Sequence, residues 1–66
     1  MRIILNGESR LVAGAVTISA LVGELNLIPA TLLIEHNGVA LHRREWPQKS
    51  LADGDRIEII RVVAGG

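Results

Sequence analysis

Apolar and polar positions recur at two different periods along this chain, and the switches between them mark its elements. The opening run Met1-Arg2-Ile3-Ile4-Leu5 predicts a strand, with Ile3 and Leu5 on one face and Ile4 on the other. Asn6-Gly7 follows. Both residues tolerate the positive φ of a type I′ turn, so Glu8 to Val12 is expected to return as a second strand. Ala13-Gly14-Ala15 loosens the chain before the period lengthens. Ile18, Leu21, Val22 and Leu25 then fall at i, i+3, i+4 and i+7, one stripe of a helix. Thr17 is placed to cap that helix, although Ala20 stands where a capping box would have Glu or Gln. Asn26 suits the left-handed position just past the helix, and Pro29 stops any continuation.

Alternation resumes over Leu32 to His36, where Leu32 and Ile34 share a face, and Asn37-Gly38 turns the chain into Val39 to Leu41. The stretch from Arg43 to Lys49 reads as a polar, irregular loop around Trp46-Pro47, pinned to the core by Leu51. Asp53-Gly54-Asp55 is a turn, and Arg56 to Val63 is the last strand, with Ile57 and Ile59 in phase. Having more apolar residues than any other strand, it is placed at the centre of the sheet. The order is strand, strand, helix, strand, strand, strand. It describes an α+β domain in which one helix covers one face of a mixed five-stranded sheet. Ile4, Leu33, Ile60 and Val62 have the opposite parity to the core residues of their strands. They are expected on the uncovered face as an apolar docking patch, with the alternation interrupted at Arg61.

Composition narrows the function. The chain has 66 residues, 48% of them apolar, which suits one small globular domain with an aliphatic core. Trp46 is the only aromatic and the formal net charge is zero, so neither base stacking nor attraction to phosphate favours a nucleic-acid partner. Without cysteine there is no disulfide and no thiolate metal site. The apolar run at the N-terminus is too short for a secretion signal, and the longest uncharged stretch, Leu11 to Gly23, is too short for a membrane span. A soluble, cytoplasmic protein, monomeric when free, is expected.

No catalytic constellation stands out. Ser9, Thr17, Ser19, Thr31 and Ser50 lack a nucleophile-elbow setting, and no phosphate-cradling glycine loop is present. His36 and His42 flank the Asn37-Gly38 turn. If that loop has two residues, His36 pairs with Val39 and the imidazoles lie on opposite faces. Asp53 and Asp55 would suit a divalent cation, but a turn explains them with fewer assumptions. Arg43-Arg44-Glu45 reads as solvated surface. Neither a metal nor a cofactor is called for.

The end of the chain is different. A strongly apolar strand runs into Ala64-Gly65-Gly66. Glycines cannot contribute packing, so residues 64–66 read as a flexible tail on a body of residues 1–63. A Gly-Gly end alone is equally what a frayed terminus or a cloning scar looks like.

The combination is more specific. Asn6-Gly7, Asn37-Gly38, Arg44-Glu45-Trp46, Leu51-Ala52-Asp53-Gly54-Asp55 and Val63-Ala64-Gly65-Gly66 together resemble the β-grasp, ubiquitin-like sulfur carriers, above all the ThiS family of thiamine biosynthesis. The likeness covers nearly the whole chain. It implies that the Gly66 carboxylate is adenylated by a ThiF-type enzyme with ATP and converted to a thiocarboxylate. The thiazole synthase ThiG would then take the sulfur. Ala64 and Gly65 would thread the partner's active site, and Ile4, Leu33, Ile60 and Val62 would dock on the activating enzyme. The chain departs from the usual pattern at Leu41-His42 and at His36, which bears on partner preference. The competing readings are a related carrier for molybdopterin or cysteine synthesis, an isopeptide-forming protein modifier, and a non-transferring β-grasp binding module.

Overall fold

Each hairpin forms where its turn residues demand it. In the computed structural model, which describes residues 1–62, Asn6 and Asn37 take φ of 49° and 50°, and Gly7 and Gly38 follow at 83° and 85°. These left-handed pairs give the type I′ twist that matches the flanking strands. β1 (Arg2–Leu5) and β2 (Glu8–Leu11) form the first hairpin. β3 (Leu32–His36) and β4 (Val39–Leu41) form the second, with His36 opposite Val39 as expected. β5 (Arg56–Arg61) lies between the hairpins, parallel to β1 and antiparallel to β3. The sheet order is β2-β1-β5-β3-β4, so the last strand is central, as expected.

Helix α1 (Ile18–Glu24) covers one face. The Thr17 hydroxyl accepts a hydrogen bond from the Ala20 amide at 3.0 Å, and Asn26, at φ 56°, takes the left-handed position past the helix end. The stripe behaves as its spacing requires. Ile18, Leu21 and Val22 are buried with Ile3, Ile34, Ile57, Trp46 and Leu51 in one core, and Leu25 packs against its margin. The Glu24 carboxylate reaches back to accept the amides of Ala13 and Gly14 at 3.3 and 3.2 Å, tying the loose connector to the helix. No helix among the described residues is long and apolar enough to cross a membrane.

Three differences from expectation exceed a single residue at an element's end. Arg43–Gln48 is a 3-10 helix rather than an irregular loop, with Trp46 buried and the Glu45 carboxylate accepting the His42 amide at 2.8 Å. Proline at position 47 is tolerated because so short a helix leaves few amides needed for internal bonds. A second 3-10 turn, Pro29–Thr31, leads into β3. β5 ends at Arg61, not Val63. Val63 and the expected tail, residues 64–66, lie outside the described residues.

The helix and the central strand differ in length. The helix has seven residues and β5 has six. At helical and strand rises these span about 10 Å and about 20 Å respectively. The helix therefore cannot cover the whole of the strand that leads to the chain's end.

Candidate functional site

β5 starts in a dense knot of hydrogen bonds. The Asp55 carboxylate accepts from His36 Nε2 at 2.8 Å, from the Asn37 side-chain amide at 3.1 Å and from the Ala52 backbone amide at 2.8 Å. An ionised carboxylate only accepts, so His36 carries its proton on Nε2. Asn37 Oδ1 in turn accepts the Arg56 amide at 2.8 Å. Burial pushes the Asp55 carboxyl up, but the bonds from His36, Asn37 and Ala52 outweigh it and hold it below the usual carboxylate value. Asp53 accepts the Arg2 amide at 2.8 Å, and Gly54 between the two aspartates sits at φ 87°. Both carboxylates are thus spent on closing the turn and joining β3 and β1 to β5. Among the described residues no cluster of side chains is arranged to hold a metal ion.

The other end of β5 is open. Leu33 registers directly opposite Ile60, and the Val62 amide donates to the Thr31 carbonyl at 2.6 Å. All three expected patch residues here are exposed: Leu33 by 59%, Ile60 by 53% and Val62 by 45%. Arg61 registers with Leu32, so the alternation runs through it unbroken. Ile4 does not join them. It is half-buried and registers with Arg56, four residues before Ile60, or about 13 Å along the strand. Glu58, opposite Glu35, lies in that interval. The contiguous patch is therefore Leu33, Ile60 and Val62, at the root of the segment that carries Ala64, Gly65 and Gly66. Those last residues lie outside the described ones.

On the helix side of the same strand end is a feature that the periodicities did not flag. A cleft of about 250 Å³ has an aliphatic lining of Leu5, Leu25, Leu27, Leu32 and Ile59, with Asn6 and Arg61 completing it. Its signal in the sequence was a mismatch of lengths: the helical stripe stops at Leu25, while the strand beneath it runs on.

Comparison with known proteins agrees with this arrangement. The model of the ThiS family matches residues 3–66. The sulfur carrier protein ThiS of Escherichia coli (strain K12) is 30% identical over 66 residues, covering the whole of both chains. A thiazole synthase of Paramagnetospirillum magneticum is 32% identical over 66 residues. That is all of this chain but 20% of that protein, so the chain spans about a fifth of that relative's length. Among solved structures, the crystal structure of the thiamine biosynthesis protein (ThiS) of Geobacter metallireducens superposes with a TM-score of 0.84 at 29% identity, over the whole of both chains. Its solution structure gives 0.82 at 29% identity, covering this chain completely and 88% of that one.

Proposed function

This chain belongs to the ThiS family, the sulfur carriers of thiamine biosynthesis, and from that membership we propose that the Gly66 carboxylate is where it carries sulfur. Carriers of this family are acted upon rather than catalytic. An α-carboxyl is ionised at neutral pH, with a pKa of about 3.5. One oxygen attacks the α-phosphorus of ATP in the site of a ThiF-type enzyme, and pyrophosphate leaves. Hydrosulfide released by a sulfur donor then adds to the acyl-adenylate carbonyl and gives up its proton. The C–S bond forms as the C–O bond to AMP breaks, leaving a thiocarboxylate. Its sulfur passes to a thiazole synthase of the ThiG type. Ala64 and Gly65 present almost no side chain, so this arm passes through a narrow channel without steric cost. With no cysteine in the chain, no thiol can hold the transferred sulfur as a persulfide, in keeping with a carrier that holds it on an acyl carbon.

The observation that carries this reading is that the family match continues through residue 66, beyond a strand fixed firmly at its start. A thiazole synthase in which a fifth of the chain resembles this one supports the choice of sulfur acceptor. Leu33, Ile60 and Val62 would dock on the activating enzyme, with Ile4 at the far margin of that face. The test is intact-mass spectrometry after incubation with ATP, a ThiF-type enzyme and a sulfur donor. One oxygen should be exchanged for sulfur. Deleting Gly66 should abolish the exchange and leave the thermal melt unchanged. An unaltered mass in the presence of a competent partner would sink the proposal.

A further inference from the structure

β5 outruns its neighbour β1. The amides of Ile4 and Asn6 donate to the carbonyls of Asp55 and Ile57 at 2.8 and 2.9 Å, so odd-numbered residues of β5 direct their backbone groups toward β1. Even-numbered ones face β3, as Val62 does in donating to Thr31. At Asn6 the first hairpin turns away, and its side chain completes one more rung. Asn6 Oδ1 accepts the Ile59 amide at 2.7 Å, and Nδ2 donates to the Ile59 carbonyl at 3.2 Å. The next rung belongs to Arg61, and no described residue fills it.

The aliphatic cleft lies beside that unfilled rung. At about 250 Å³ it is below the usual size of a small-molecule site and suits a side chain or two. Asn6 has committed its polar atoms to Ile59, so Arg61 is the one charged residue of the lining. Among the described residues Arg61 forms no ion pair.

We propose that this edge and cleft together receive an extended segment of a partner protein. The segment's backbone pairs with Arg61, one aliphatic side chain fills the cleft, and a carboxylate two positions along meets the Arg61 guanidinium. The two-residue spacing follows from strand geometry, since alternate side chains share a face. Main-chain pairing supplies affinity, and the cleft and the cation supply selectivity. The inference rests on the carrier reading in one respect: the partner is a protein that handles the chain end rooted at Arg61. It adds a second recognition surface, on the opposite face of β5 from Leu33 and Ile60.

The probe is the blocked pentapeptide acetyl-Thr-Leu-Thr-Glu-Thr-amide, titrated into the isotope-labelled full-length chain and followed by NMR. The Arg61 amide and the methyl groups of Leu25, Leu27 and Ile59 should shift saturably, and hydrogen exchange at the Arg61 amide should slow. Replacing the peptide's Glu by Gln should weaken binding about tenfold, equivalent to about 1.4 kcal/mol. Arg61→Glu should abolish binding, and Arg61→Lys should retain part of it. Shifts centred on Leu33 and Ile60, or none that saturate, would overturn the proposal. So would Overhauser contacts from Gly65 or Gly66 to Leu27 in the peptide-free chain, which would assign the cleft to the chain's own end. None of these readouts needs ATP or a sulfur donor. Failure here would leave the carrier reading standing, and failed thiocarboxylate formation would leave the binding surface standing while removing the identity of its partner.

Discussion

The two ends of β5 are built to opposite specifications. At its start, Asp55 and Arg56 are bonded to His36, Asn37 and Ala52, and the His36 and Asp55 side chains are only 15% and 13% exposed. At its finish, Leu33, Ile60 and Val62 face solvent on one side, and a cleft lies under Ile59 and Arg61 on the other. One strand thus serves as both anchor and gangplank. A carrier that works through its last carbonyl, as proposed above, would need this asymmetry, because burying the far end would keep partners from that carbonyl.

The sharpest way to break the comparison is to cut the same side chain from each half. Ile57 is fully buried, and Ile57→Ala should cost about 2–5 kcal/mol through lost burial and a residual cavity. Ile60, also isoleucine and three residues on, is half in solvent. Ile60→Ala should change stability by less than about 0.5 kcal/mol while slowing adenylation by a ThiF-type enzyme. Urea melts and an adenylation assay on the two variants check both halves. Equal stability losses would mean that the far end is structural after all.

A smaller effect separates the ends by pH. The Asp55 carboxyl is held below its ordinary value, so its contribution is fully present above about pH 4 and is lost as pH falls through the lower folded value. Asp55→Asn keeps the shape, but its amide nitrogen cannot accept, so at least one of the three bonds is lost and the others lose their charge; it should cost about 2 kcal/mol near neutrality. Thermal melts from pH 7 to pH 3 should show the wild-type chain losing stability below about pH 4, with a flatter profile for the variant. A parallel fall in both would place the acid sensitivity elsewhere.

What could be read from the residues obeys the same divide. The anchor was legible because Asn-Gly and Asp-Gly-Asp are local signals whose backbone requirements name their geometry, and the register of β3 with β4 followed from turn length. The central place of β5 was expected from the five apolar residues between Arg56 and Val63. The 3-10 helix around Trp46 was missed because Pro47 suggests a break, and short 3-10 segments carry no periodicity of their own. Ile4 was grouped with Leu33, Ile60 and Val62 because parity gives the face of a sheet but not the distance along it; only the pairing with Arg56 separates them. The cleft escaped altogether. It arises from a helix and a strand of unequal length, a relation between elements that no window of sequence contains.

The smallest effect tests whether the anchor reaches as far as Ile59. Asn6 and Asn37 occupy equivalent turn positions at nearly the same φ, and each extends a side chain to β5. Replacing either by glycine preserves the left-handed backbone and removes only that reach, so Asn6→Gly and Asn37→Gly should each cost about 1–2 kcal/mol. Their local consequences should differ. Losing Asn37 frees the Arg56 amide and loosens Asp55, so exchange should quicken at the start of the strand. Losing Asn6 frees both backbone groups of Ile59, and the open edge at Arg61 lengthens by one rung. Amide exchange should then quicken at Ile59 while Arg56 stays protected. If the two variants loosen the same amides, β5 opens as a unit and the distinction between its ends is one of exposure alone. If they differ as expected, Asn6 marks the point where the fixed part of the strand gives way to the presented part.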